Sequence, residues 1–272
     1  MTVIGIIGTG SLGTHLVRML LSHSRKSPVK HRPRIDVIGS VRNYERRNYL
    51  ECTFGSSMQL YDNRLVARLS DIILISVKPE QVKEVCEDIK NTLTLYPRKI
   101  IISTAAAVPL NKLLGWLPTD STVIRCTSNI PCSLGSGLVT YYSNASNARE
   151  IMDTVFYPNK ILEVKSDKSI DIATVITGCG PAFIAWYIDC LKDIGEEQFC
   201  TNGLKIMLSQ TIIGTGEMLA IQDPDNLIRA AAFPNGATDT ALKELTQNGA
   251  KAKVQGAFMS AYNHINKMSE EL

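Results

Sequence analysis

The chain has 272 residues, of which 44% are hydrophobic and 20% are charged, a composition typical of a soluble globular protein with room for two domains. Its net charge of +3 is too small to indicate nucleic-acid binding. The apolar runs are shorter than the ~20 residues that span a bilayer, and a strand begins almost at Met1. We therefore expect no membrane span, no targeting segment and a cytoplasmic protein.

Residues 1–165 alternate between strand-like and helix-like segments. The predicted strands are 2–8, 35–40, 58–61, 72–77, 99–104, 121–126, 137–142 and 160–164. Several of them are apolar at every position, which is typical of a parallel sheet covered on both faces. We predict an α/β fold in which residues 1–165 form a doubly wound Rossmann-type sheet that binds a dinucleotide.

Residues 166–272 show no further strand pattern. The predicted helices are 169–176, 181–198, 201–221, 224–232, 238–248 and 250–269. Residues 182–188 (AFIAWYI) are apolar on all sides, so their helix must be enclosed completely. A small helical domain cannot enclose it alone. We predict an all-α substrate and dimerisation domain, with a homodimer formed by interleaved C-terminal helices and a higher oligomer left open.

Seven cysteines are scattered along the chain without a C-x-x-C pair, and only four histidines are present. This pattern predicts reduced thiols and no metal site. A second unusual composition lies at residues 23–34, which carry five Lys or Arg. A solvated surface loop is the simplest interpretation, and a phosphate-facing loop is the alternative.

A glycine turn follows the first predicted strand and precedes a helical pattern, the context in which G-x-G-x-x-G indicates a dinucleotide site. Gly8 allows the turn, Gly10 lets the backbone approach a pyrophosphate, and Gly13 lets the helix pack on the strand. Ser11 and Leu12 open that helix, whose free N–H groups favour phosphate. The alternative is a glycine-rich turn without a ligand.

The second strand ends without the acidic residue that binds the ribose 2′-hydroxyl of NADH. The residues that follow it include Ser40, Arg42 and Asn43, and an arginine binds a 2′-phosphate with paired hydrogen bonds. We therefore predict NADPH rather than NADH. The fourth strand ends at Val77-Lys78-Pro79, on the edge where ligands bind; Lys78 faces either the cofactor or solvent.

Three further stretches are 125–131 (RCTSNIP), 177–183 (TGCGPAF) and 233–242 (FPNGATDTAL). Together with the glycine turn and Val77-Lys78-Pro79, they make the chain similar to pyrroline-5-carboxylate reductases over nearly its whole length. That family's patterns are roughly V-K-P, N-T-P, S-G-S-G-P-A-Y and S-P-G-G-T-T.

The resemblance implies an oxidoreductase acting on CH–NH groups, which reduces 1-pyrroline-5-carboxylate to L-proline with NADPH in proline biosynthesis. It also implies an intertwined dimer with the small-molecule substrate near the subunit interface. The turn before a predicted helix, formed by Pro234, Asn235, Gly236 and Ala237, would offer backbone N–H groups to the substrate carboxylate. Thr238 would donate to the imine nitrogen as the catalytic residue, although a threonine at a helix start is often only a cap.

Asn129 matches the asparagine of N-T-P and would orient the nicotinamide or the substrate; a turn asparagine before proline is the alternative. Gly180 would allow a close backbone approach to the substrate. The chain departs from the family patterns at Phe233, which replaces a serine, at Asn235, which replaces a glycine, and at Ala237. Asp239 adds an anion beside the presumed carboxylate site.

Two other functions remain open from the sequence. A β-hydroxyacid dehydrogenase would have the same two-domain order, but no lysine follows Gly180 until Lys192, so the expected base is missing. A non-catalytic or regulatory NADP-binding paralogue would explain the altered turn at 233–239, because a fold alone does not establish a function.

Overall fold

The protein is described by a computed structural model, which covers residues 2–26 and 35–272. Residues 27–34, most of the predicted basic loop at 23–34, lie outside the described residues. Within the described residues, clustering of contacts separates two compact units. The first comprises residues 2–181 and 262–272, and the second comprises residues 182–261.

One sheet of eight strands forms the centre of the first unit as described, and every predicted strand is present. The strands are β1 (Thr2–Ile7), β2 (Ile35–Ser40), β3 (Gln59–Tyr61), β4 (Ile72–Ile75), β5 (Ile100–Ser103), β6 (Thr122–Ser128), β7 (Leu138–Tyr142) and β8 (Lys160–Glu163). Their order is β3-β2-β1-β4-β5-β6-β7-β8. This is the order of a doubly wound Rossmann-type sheet extended by two strands.

The first six strands are parallel, but β7 runs antiparallel to β6, and β8 is parallel to β7. The direction of β7 has a simple cause. Only residues 129–137 separate it from β6, and they form a short 3₁₀ turn, Ile130–Leu134. A parallel connection needs a dozen or more residues, so this one returns as a hairpin.

Helices cover both faces of the sheet, as the apolar strands predict. They are α1 (Ser11–Lys26), α2 (Tyr44–Phe54), α3 (Asn63–Leu69), α4 (Pro79–Leu95), α5 (Leu110–Trp116), α6 (Ala148–Phe156) and α7 (Asp167–Ala173). One hydrophobic cluster joins the sheet to α1 and α6 through residues such as Leu16 and Met152. A second joins it to α3, α4 and α5 through residues such as Val85 and Leu113.

Only helices follow β8 among the described residues. A π-helical turn, Thr174–Gly178, continues α7 toward α8 (Gly180–Gly195). The others are α9 (Thr201–Leu219), α10 (Pro224–Ala231), α11 (Ala237–Gln247) and α12 (Ala250–Glu271). The sequence boundary at residue 165 therefore marks the change from mixed to helical structure. As a boundary between domains it stays a prediction, since the compact units divide near residue 181.

The second unit leaves large apolar side chains uncovered. Trp186 is 65% exposed and Ile194 is 78% exposed, both on the apolar helix α8. The helical segment Asp167–Gly195, with a mean hydropathy of 1.3 over its most apolar window, is long and apolar enough by composition to cross a membrane. The sequence predicts no span here, because its uninterrupted apolar runs are shorter than a bilayer requires. The segment is only 17% buried in that window, so its apolar surface lacks a partner within the described chain.

Candidate active site

The glycine turn connects β1 to α1, and each glycine has a different surrounding. Gly8 has φ +92°, and a Cβ there would lie 2.4 Å from Val77 Cγ1. A Cβ on Gly13 would lie 2.2 Å from the carbonyl oxygen of Gly8, so only glycine lets the helix start this close to the strand. A Cβ on Gly10 would meet no described atom within 4 Å. The turn is therefore tightly packed at Gly8 and Gly13, whereas Gly10 has space beside it.

The groups around the opening suit a phosphate. The first N–H groups of α1, from Ser11 and Leu12 onward, precede the helical bonding pattern and have no acceptor four residues back within the helix. The buried hydroxyl of Ser76, next to Gly8 at the end of β4, has no hydrogen-bond partner among the described residues. These features fit a dinucleotide pyrophosphate at this turn.

The end of β2 is tied to the glycine turn through Ser40. Its carbonyl oxygen accepts hydrogen bonds from the backbone N–H and the hydroxyl of Thr9, at 3.2 and 2.9 Å. Its own hydroxyl donates to Asn63 Oδ1 at 2.6 Å. Asn43 caps α2, with its Oδ1 accepting from the N–H of Arg46 at 2.8 Å. Ser40 therefore links three elements at the edge where the cofactor ribose is expected, and Asn43 orients the next helix.

Arg42 lies at the rim of a cavity of about 620 Å³ beside this edge. The cavity is lined by Val41, Arg42, Arg47, Tyr61, Asp62, Asn63, Glu84, Glu87 and Asp88. The Arg42 guanidinium forms two hydrogen bonds with the Glu84 carboxylate, at 2.7 and 3.2 Å, which raise the pKa of Arg42. The Arg42 side chain is 59% exposed, and a phosphate could accept the same pair of hydrogen bonds from its guanidinium.

Two nearby arginines have structural partners instead. Arg46 donates to the carbonyl oxygens of Thr9 and Gly10, at 3.0 and 2.9 Å, and thereby fastens α2 to the glycine turn. Arg47 contacts Glu51 at 3.6 Å along α2. The sequence alone does not distinguish these arginines from Arg42, since all three lie within six positions.

The ends of β4 and β5 continue the same edge. Val77 packs against Gly8, Lys78 is the N-cap residue of α4, and Pro79 is the first residue of that helix. The loop after β5 was missed in the sequence. In that loop, Thr104 bonds to the Ile75 carbonyl oxygen through both its N–H and its hydroxyl, at 3.0 and 3.2 Å. Because it follows a parallel strand next to β4, this loop belongs to the edge where ligands bind.

Asn129 follows β6 and organises the hairpin to β7. Its Oδ1 accepts from the N–H of Leu138 at 3.2 Å and from the Cys132 thiol at 3.3 Å. A Cβ on Gly137 would lie 2.6 Å from the same oxygen. The amide nitrogen of Asn129 forms no hydrogen bond within the described residues and is the part of the side chain left to donate to a ligand.

A buried ion-pair network next to this hairpin was also missed in the sequence. Arg125 on β6 is fully buried and contacts Asp167 Oδ1 at 2.6 Å and Asp171 Oδ1 at 2.5 Å, both on α7. Asp167 also accepts from the N–H of Leu110 at the start of α5, at 2.9 Å. The network fixes the beginning of the helical segment to the sheet. The signal was the arginine inside an apolar strand, since such a residue needs a partner.

The stretch 177–183 spans the end of the π-helical turn and the start of α8. A Cβ on Gly178 would lie 3.4 Å from Thr127 Oγ1, whereas Gly180 has open space on that side. Cys179 is partly buried, and burial raises the pKa of its thiol. The thiol is therefore protonated at neutral pH and is a poor nucleophile.

The turn at 233–239 lies in the second unit. Phe233 is 75% exposed and Asn235 has φ +62°. Gly236 is the N-cap residue of α11, which begins at Ala237, and as a glycine it provides no side-chain cap. The hydroxyl of Thr238 forms no hydrogen bond within the described residues. It is therefore not used as a cap and is free to act on a ligand.

Comparison with known proteins identifies the relatives of this chain. Residues 167–268 match the model described as pyrroline-5-carboxylate reductase dimerisation. Residues 3–107 match the model described as NADP oxidoreductase, coenzyme F420-dependent. The chain is 27% identical to a pyrroline-5-carboxylate reductase of Pseudomonas aeruginosa, over 99% of this chain and 97% of the relative. The chain is thus similar to pyrroline-5-carboxylate reductases over nearly its whole length.

Other members of the family agree over similar lengths. The pyrroline-5-carboxylate reductase of Glycine max is 28% identical, over 98% of this chain and 96% of its own. The Plasmodium falciparum pyrroline carboxylate reductase, solved with NADP bound, matches with a TM-score of 0.83 and 26% identity over 98% of both chains. The dimerisation model includes all of the exposed apolar helix α8, which favours a soluble oligomer over a membrane protein.

Proposed function

We propose that this chain reduces 1-pyrroline-5-carboxylate to L-proline with NADPH, as a step of proline biosynthesis. The observation that carries the proposal is the family match, which extends over 98–99% of the chain and ends in the dimerisation domain. The reaction class is that of an NAD(P)-dependent oxidoreductase acting on a CH–NH group.

The residues of the first unit support NADPH as the cofactor. NADP is bound in the related Plasmodium structure, and here Gly8, Gly10 and Gly13 form a turn that fits a pyrophosphate. Arg42 would receive the 2′-phosphate, with Ser40 and Asn43 shaping the edge. Val77, Lys78 and Pro79 would line the neighbouring strand end.

The residues of the second unit, together with the family pattern, support the proposed substrate-binding roles. NADPH supplies the hydride, which leaves the protein to position the imine and to stabilise its charge. The turn Pro234–Ala237 would lead the backbone into α11, whose first N–H groups would receive the substrate carboxylate. The Thr238 hydroxyl would donate a proton to the imine nitrogen as the hydride reaches the ring carbon, and solvent would return a proton to Thr238. The family pattern also assigns Asn129 and Gly180 to substrate binding.

The assembly and location are part of the proposal. A homodimer with interleaved C-terminal helices would cover Trp186 and Ile194, which a single chain leaves exposed. A cytoplasmic location suits the free state of all seven cysteines.

The decisive experiment is an assay of NADPH absorbance with purified protein and pyrroline-5-carboxylate. We expect turnover by the wild type and a loss of about a hundredfold in kcat for Thr238→Ala, the usual scale for removing one proton donor. NADPH affinity should stay unchanged. The matched control is Thr246→Ala on the same helix, whose hydroxyl donates to the Leu242 carbonyl oxygen at 2.7 Å; it should keep full activity.

Because the turn at 233–239 departs from the family pattern, the same assay has two further informative results. Tight NADPH binding by the wild type without turnover of pyrroline-5-carboxylate would favour the non-catalytic or regulatory paralogue. Turnover of a related cyclic imine instead would keep the chemistry and change the substrate.

A further inference from the structure

The turn that carries Thr238 contains a residue in a costly conformation. Asn235 has φ +62°, in the left-handed region that an L-residue enters at a cost and glycine enters freely. Gly236 follows it as the N-cap residue of α11, and its own N–H donates to the Phe233 carbonyl oxygen at 2.9 Å. The position of Thr238 therefore depends on what holds the backbone of Asn235.

Asp239, in the first turn of α11, provides this hold. Its Oδ2 accepts a hydrogen bond from the backbone N–H of Asn235 at 2.8 Å and contacts Lys243 Nζ at 2.7 Å. Lys243 and the Asn235 N–H lower the pKa of Asp239, so the carboxylate is ionised at neutral pH. The arrangement resembles a capping box, except that the side chain reaches the residue before the N-cap.

We propose that Asp239 is a positioning residue that holds Asn235 in the left-handed conformation and thereby fixes the substrate-binding turn. It achieves with a hydrogen bond what glycine at position 235 would achieve through its backbone freedom. The inference rests on the proposed function, because that function assigns the turn to the substrate carboxylate and Thr238 to the imine nitrogen.

One consequence concerns how the substrate is held. The N–H of Asn235 is taken by Asp239 and that of Gly236 by Phe233, so neither is left for a ligand. The substrate carboxylate is then received by the N–H groups of Ala237 and Thr238, which open α11. A shift of the turn changes the binding of the imine without changing that of NADPH.

The test is a double-mutant cycle of Asp239→Ala and Asn235→Gly, with KM measured separately for pyrroline-5-carboxylate and NADPH. In the wild-type background, Asp239→Ala should raise the imine KM about tenfold, because a charge-assisted hydrogen bond is lost at a left-handed residue. In the background that already carries Asn235→Gly, the same substitution should change the imine KM by less than about twofold, since glycine needs no hold. The NADPH KM should not move in either background.

Two controls separate the hydrogen bond from charge. Asp153→Ala removes an exposed aspartate that pairs with Arg149 at 2.8 Å in the same i,i+4 geometry, and it should leave both KM values unchanged. Lys243→Gln removes the ion pair and keeps the bond to Asn235, so it should raise the imine KM less than about threefold.

The outcomes are distinct. An equal effect of Asp239→Ala in both backgrounds would overturn the inference, as would a fall in kcat with both KM values unchanged, which is the signature of lost folded enzyme. Wild-type turnover together with either result would leave the proposed function standing. Absence of wild-type turnover on pyrroline-5-carboxylate would overturn the proposed function and this inference with it.

Discussion

Arg42 and Glu84 illustrate how a neighbouring residue tunes a cofactor site. The Arg42 fork is oriented by Glu84, with one contact at 2.7 Å. A 2′-phosphate would use the same guanidinium nitrogens, because carboxylate and phosphate accept from arginine in the same bidentate geometry. In the proposed site Glu84 would therefore compete with the 2′-phosphate of NADPH for Arg42, whereas NADH has no 2′-phosphate to compete.

Cofactor preference provides the corresponding prediction. Arg42→Ala should raise the KM for NADPH about tenfold and leave the KM for NADH unchanged. Glu84→Gln should lower the KM for NADPH about two- to threefold, since an exposed ion pair contributes little and opens easily. Arg64→Ala is the matched control, because Arg64 pairs with Asp88 at 2.8 Å near the same cavity. Equal losses for NADPH and NADH in Arg42→Ala would contradict the assignment.

Residues with a backbone requirement were the most predictable part of the site. Gly8 and Gly13 were identified because the turn tolerates no side chain, and the structure gives them the tight surroundings that this requires. The partners of long side chains could not be predicted. Arg46 contacts the glycine turn and Arg42 contacts Glu84 because the fold brings the residues after β2 next to both that turn and α4.

At the scale of elements, the strands were predictable and their directions were only partly so. Several strands are apolar runs bounded by polar residues, and two of them, β4 (Ile72–Ile75) and β5 (Ile100–Ser103), lie within the predicted ranges. The reversal at β7 depends on the length of one connection. The attachment of α7 to β6 depends on Arg125, whose two aspartate partners lie 42 and 46 residues away.

Removal of this buried arginine should be costly. Arg125→Met leaves Asp167 and Asp171 without their counter-charge, and we expect a loss of about 3–5 kcal/mol in the free energy of unfolding by urea. The matched control is Arg149→Met, which breaks an exposed pair with Asp153 at the same kind of distance. That variant should unfold at nearly the wild-type urea concentration. Similar midpoints for the two variants would show that the buried network does not stabilise the fold.

At the scale of the whole molecule, the helical unit needs a second copy. We expect Trp186→Glu to sediment as a monomer and to lose turnover, because a charge on α8 would have to be buried in the dimer. Leu95→Glu is the control, since Leu95 is 76% exposed at the end of α4 in the first unit. Wild-type sedimentation of Trp186→Glu at low protein concentration would place the interface elsewhere.

The last helix, α12, begins in the second unit and ends in the first. Near its end Ile265 is buried, and Lys112 Nζ donates to the Ser269 carbonyl oxygen at 3.0 Å. A ribosome that has synthesised every strand of the sheet has therefore not yet supplied all of the first unit. The nascent sheet must wait for the entire helical segment to emerge before residues 262–272 complete its packing.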